Sequence, residues 1–131
     1  MDRFLTLATE IEKAPRGSST FDLRIFRLLH PEYDAFVEGR GGLVHPYDSS
    51  DQRTLSWVTW SPYTSSLNAV VTLIFRIPES RWQLNVINKP GIMQLGTVNG
   101  YYGQAPTPAQ ALCAAFLRSY PRSYARICTQ P

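Results

Sequence analysis

Apolar positions recur at helical spacing in four stretches of the chain and alternate with polar ones, or cluster as β-formers, in three, which sets an element order α-α-β-α-β-β-α. Asp2 to Lys13 carries Phe4, Leu5, Ala8 and Ile11 on one side, an amphipathic helix stopped by Pro15-Arg16-Gly17. A second helix is predicted from Thr20 to Leu29, where Ser19 and Asp22 form a variant capping box and Ile25, Leu28 and Leu29 supply the buried stripe. Residues 31–53 hold no period and read as an irregular loop with a short strand at Gly42 to His45. Leu55 to Trp60, rich in tryptophan, threonine and valine, reads as a strand. The third helix follows Ser61-Pro62-Tyr63-Thr64-Ser65-Ser66. Leu67, Val70, Val71, Ile74 and Phe75 mark its apolar face, and Thr64 or Ser65 is placed to bond the free amides of its first turn.

Pro78 closes that helix, and Arg81 to Ile87 alternates, with Trp82, Leu84 and Val86 inward and Arg81, Gln83 and Asn85 outward. Asn88-Lys89-Pro90-Gly91 has the central Pro-Gly of a type II turn, so Ile92 to Val98 is the returning strand. Gly96, Gly100 and Gly103 break its regularity and mark a bulge, or a place where another backbone or a ligand comes close. In the last helix Thr107 is the cap, Pro108 the first residue, and Ala109, Leu112, Cys113, Phe116 and Leu117 the buried stripe. Pro121 is expected to end it, leaving a tail over 119–131. The whole is an α+β fold in one domain, 1–131: a small, mainly antiparallel sheet with helices packed on it.

Composition changes this picture in two ways. With 44% hydrophobic and 18% charged residues, the chain has fewer charges than the usual ~25%, which leaves apolar surface for self-association or a lined pocket. The net charge of +3 is unevenly spread: nine acids face six bases through Gln52, whereas from Arg53 onward Glu79 alone opposes seven bases. The basic second half suits an anionic partner. Two cysteines make no disulfide framework, and no apolar run reaches the ~18 residues of a membrane span, so a reduced, cytoplasmic, non-membrane protein is expected.

The segment Pro62 to Ala69, the tryptophan-bearing Arg81-Trp82 strand, and Ala105-Pro106-Thr107-Pro108-Ala109-Gln110-Ala111-Leu112 leading into Cys113 to Arg118 resemble the small phage and prophage proteins of the phage ABA-sandwich family. The resemblance covers Ser61 to Arg118 and, more faintly, the two N-terminal helices. It implies a sheet with helices on both faces, an α/β/α sandwich, in a bacteriophage or prophage protein working in the bacterial host cytoplasm. It supplies no catalytic residues.

Chemistry is sparse. His30 and His45, with Asp34 and Asp48, match no zinc spacing, Cys113 has no base beside it, and the acids of the first half form no dyad with Glu79, so neither an enzyme nor a metal or cofactor site is expected. A double-stranded-RNA module needs lysines at the start of its last helix, where this chain has Ala105-Pro106-Thr107-Pro108, and nucleic acid is not the expected partner. What is left is a small anionic ligand. The two capped helix starts at Thr64-Ser65 and Thr107 offer amides. Trp57, Trp60, Tyr63, Trp82, Tyr101 and Tyr102 offer flat rings, and Arg76 and Arg81 offer guanidinium groups. The competing reading makes these caps and rings structural. The expected role is a non-enzymatic, homo-oligomeric accessory protein that sequesters a nucleotide-like signal. The alternative is one that inhibits or redirects a host protein by contact through the 31–53 loop and the tail.

Overall fold

The protein is seen in a computed structural model that describes residues 3–39, 42–44, 58–85 and 93–129. Among the described residues four α-helices, α1 (Arg3–Lys13), α2 (Ser19–Leu29), α3 (Leu67–Ile74) and α4 (Pro108–Thr129), accompany two antiparallel sheets. One is a two-stranded ribbon of β1 (Val37–Gly39) and β2 (Gly42–Val44). The other is a meander of β3 (Trp82–Asn85), β4 (Gln94–Val98) and β5 (Tyr101–Ala105), in that spatial order. This is the α+β fold that the hydrophobic pattern predicts, with the strands divided between two sheets where one was expected and with β1 and β5 added. The predicted Pro90-Gly91 turn lies outside the described residues, as do Leu55 to Trp57 of the predicted strand; Val58 makes a single antiparallel bridge to Leu43.

α4 is the axis of the molecule. Residues Ala109 to Leu117 are all buried, because one side of the helix lies on β4 and β5 while α1 and α3 cover the rest. The approach to the sheet is closer than a side chain permits: a Cβ on Gly103 would stand 2.0 Å from the Ala111 carbonyl oxygen, and one on Gly96 would stand 3.0 Å from the Leu112 amide nitrogen. Gly96 and Gly103 are paired across the two strands, so the sheet offers α4 a bare strip and takes in return the small Ala111, Ala114 and Ala115. The expected close approach of another backbone is therefore that of α4.

The cap at Thr107 is one half of a capping box, closed by a bond between the two side chains. Its hydroxyl accepts from the Gln110 amide at 3.3 Å and donates to the Gln110 side-chain oxygen at 2.8 Å. The buried Gln110 then donates from Nε2 to the carbonyls of Ile11 and Ala14, at 3.0 and 2.9 Å, satisfying the C-terminal end of α1. Pro121 does not end the helix. α4 continues to Thr129 with the proline in its interior, since burial fixes the preceding turns and the ring removes one backbone hydrogen bond.

Other expectations shift by a residue or an element. α1 buries Leu7, Ala8 and Ile11 while Leu5 is exposed, and α2 is capped by Ser18, whose hydroxyl accepts from the Phe21 amide. α3 buries Val70, Leu73 and Ile74 but leaves Leu67 and Phe75 exposed. Part of the irregular loop is ordered by Arg27, whose guanidinium donates to the carbonyls of Tyr33, Asp34 and Phe36, while the Tyr33 ring stacks on Phe26 and meets Phe36 edge-on.

β4 and β5 are joined by Asn99-Gly100, both with positive φ (51° and 86°), the two-residue turn whose twist matches a hairpin. The free edge of β5 is occupied by an ion pair. Arg118 donates to both Glu12 carboxylate oxygens and to the Tyr102 carbonyl, while the Gln104 amide donates to Glu12 at 2.8 Å. Side chains thus take the place of a further strand.

Two outcomes test this frame. Gly103→Ala should cost about 3 kcal/mol in chemical denaturation, because the clash is with backbone and no rotamer relieves it. Burial opposes the charge of Glu12, but the bonds from Arg118 and Gln104 outweigh it and hold the carboxyl below its ordinary value of 4.5. A depressed carboxylate stabilises the fold above its unfolded value and loses that contribution as pH falls through the folded one. Glu12→Gln should therefore cost about 1–3 kcal/mol at pH 7 and clearly less once the pH is below that folded value.

Candidate functional site

Alternation along the three strands divides the sheet into two faces. Trp82 and Leu84, Gly96 and Val98, and Tyr101 and Gly103 are turned toward α4. Gln83, Asn85, Tyr102 and Gln104 are exposed on the other side, which no described helix covers. At the hairpin end of this uncovered face lies a shallow concavity of about 690 Å³, walled by Phe75, Arg81, Trp82, Gln83, Thr97 and Tyr102. Phe75 and Tyr102 are each 64% exposed, the most open of the large apolar side chains described.

The position of Arg81 is set by the turn. Its amide donates to the Asn99 side-chain oxygen and its carbonyl accepts from the Asn99 amide, both at 2.8 Å, while Asn99 Nδ2 donates to Ser80 Oγ at 3.4 Å. Just before them Glu79 holds left-handed backbone (φ 62°), a strain of about 1–2 kcal/mol that swings the chain from α3 into β3. The guanidinium is thus carried on a fixed backbone at the rim, beside flat rings able to stack on a ligand.

The sequence-predicted site residues fall into separate groups. Arg81 and Tyr102 meet at the uncovered face, and Trp82, whose side chain is turned toward α4, borders the same concavity. Thr64, Ser65 and Thr107 line a second hollow of about 370 Å³ with Arg16, Leu67 and Ala109, so the starts of α3 and α4 do share a concavity. No ring of the predicted set lines it. Arg76 and Tyr63 border a third hollow of about 240 Å³, and Trp60 and Tyr101, both half-buried, line none of the three. Trp57 lies outside the described residues.

Two of the hydroxyls that line the helix-tip hollow, Thr64 and Thr107, are engaged within the protein itself. Thr64 is fully buried and is not a cap: its amide and hydroxyl donate to Asp22 Oδ1 at 2.8 and 2.6 Å, and its hydroxyl oxygen accepts from the Ser18 amide at 3.0 Å. Ser66 caps α3 instead, accepting from the Ala69 amide. Tyr63 is 4% exposed, and burial pushes its phenol upward, an effect partly offset by Arg76. Its carbonyl accepts from Cys113 Sγ at 3.1 Å, and burial, then Asp22, pushes that thiol well above its ordinary value, as befits a packed cysteine. His30, its ring tilted against Phe26, lies within 3.2 Å of Glu32 and 3.5 Å of Arg76. His45 and Asp48 lie outside the described residues, and among the described ones no three metal-ligating side chains stand together.

Two features escaped the sequence reading. Tyr102 reaches the open face only because β5 exists, and the signal for β5 was the Asn99-Gly100 pair, the strongest short hairpin cue in the chain. Phe75 was placed on the buried stripe, one residue past where α3 ends. No helix among the described residues is long and apolar enough to cross a membrane. Comparison with protein-family models, with curated proteins and with solved structures gives no match.

The Asp22 network makes a stability prediction. Thr64→Val removes a hydroxyl donor from a buried carboxylate and should cost about 1–3 kcal/mol in thermal or chemical unfolding, with the uncovered side of the sheet unaffected.

Proposed function

We propose that the uncovered face of the sheet binds a small anionic ligand with a flat ring, a nucleotide or nucleotide-like signal, and that the protein holds this molecule without transforming it. The observation that carries the reading is the meeting of Arg81, Trp82 and Tyr102, with exposed Phe75, around one concavity of a size suited to such a ligand. Guanidinium supplies a bidentate partner for phosphate, and the exposed phenol supplies a face on which a base stacks. In the setting that the phage resemblance implies, a protein of the host cytoplasm, holding such a molecule would keep an immune signal from its receptor. The reading by host-protein contact draws on the 31–53 loop and the tail, of which residues 40, 41, 45–53, 130 and 131 lie outside the described structure.

Thermal unfolding of the purified chain with ADP, ADP-ribose and a cyclic dinucleotide tests the proposal. At a ligand concentration ten times the dissociation constant, the midpoint should rise by about 4 °C. Arg81→Ala should leave the ligand-free midpoint unchanged and weaken binding about tenfold or more. A midpoint that none of the three moves, or binding indifferent to Arg81, contradicts it.

A further inference from the structure

The two edges of the three-stranded sheet are finished differently. The Asn99 amide bonded to the Arg81 carbonyl fixes the phase of the β3–β4 ladder, so Arg81, Gln83 and Asn85 direct their backbone groups to β4 while Trp82 and Leu84 direct theirs outward. Among the described residues nothing pairs with those outward groups. On β5 the corresponding groups are engaged, the Tyr102 carbonyl by Arg118 and the Gln104 amide by Glu12. Among the described residues the sheet edge is engaged by side chains at β5 and open at β3. The open edge also lacks the usual guards, since Trp82-Gln83-Leu84-Asn85 contains neither a charge nor a proline.

We infer that the β3 edge pairs with β3 of a second copy of this chain, antiparallel and about a two-fold axis at Gln83, so that two sheets continue as one. The sequence of the edge is self-complementary in that register. Trp82 of one copy stands opposite Leu84 of the other, each such pair exchanging both backbone hydrogen bonds. α4 lies over β4 and β5 and reaches only the margin of β3, leaving Trp82 and Leu84 half-buried. Pairing covers these apolar side chains with each other. Arg81 falls opposite Asn85 of the second copy, which keeps the two guanidinium groups apart and sets each against a neutral amide. The open faces of the two copies then form one continuous surface on which Gln83 meets its counterpart. Pairing of this kind is independent of any ligand.

Sedimentation equilibrium of the full chain, without ligand, tests it. The native sequence should be dimeric in the micromolar range. Gln83→Lys, altering an exposed side chain, should keep the circular dichroism spectrum and weaken dimerisation about fivefold through like charges facing each other on the axis. An equimolar mixture of Gln83→Lys and Gln83→Glu should recover the native association. A native chain that is monomeric at about 100 µM, or a dimer whose affinity is the same in both charge variants and their mixture, overturns the inference.

Discussion

The backbone of α4 lies so near β4 and β5 that the sheet has room for hydrogen but not for a methyl group at Gly103, and little more at Gly96. Everything else is arranged around that contact. Small residues on both sides let the helix sink until Leu112, Phe116 and Leu117 fill the space between sheet, α1 and α3, with dispersion and apolar burial accumulating over many contacts. Because α4 takes up one side of the sheet, the helices that pack against it gather there as well. The side carrying Gln83, Tyr102 and Gln104 is left facing water.

Polar groups then register the layers that apolar packing brings together. Gln110 links the start of α4 to the end of α1, Asp22 links α2 to Thr64 ahead of α3, and Glu12 with Arg118 ties α1 and α4 to the edge of β5. Each is a buried or half-buried side chain closing backbone groups that would otherwise be left unsatisfied. The result is a scaffold rigid on one side. Its other side presents Arg81 at the start of a short strand, Tyr102 on β5 and Phe75 at the end of a helix.

Helical periodicity carried most of the fold into view, because α1, α2 and α4 are long enough for their stripes to repeat. Boundaries were harder: α3 has eight residues, and one residue decides whether Phe75 is core or surface. The hairpin of β4 and β5 was hidden by its own packing requirement. Its glycines face α4 where a strand pattern calls for large apolar residues, so β5 read as an interruption although Asn99-Gly100 announced the turn. Thr64 misled for a similar reason. A threonine ahead of a helix resembles a cap, and only the tertiary fold reveals Asp22, 42 residues earlier in the chain, as its partner. Of the candidate site, Arg81 and Trp82 were legible from their strand. Their separation from the helix tips was not, since it depends on which face of the sheet α4 covers.

That division of the molecule into a packed side and a binding side is the central claim, and backbone amide shifts during a titration with ADP examine it residue by residue. The account predicts changes confined to Arg81, Gln83, Thr97, Tyr102 and their neighbours, with Ala109 to Leu117 unmoved. Shifts centred on Thr64, Ser65 and Thr107 to Ala109 would place the ligand at the helix tips and contradict it, as would a spectrum left unchanged by ADP, ADP-ribose and a cyclic dinucleotide in turn.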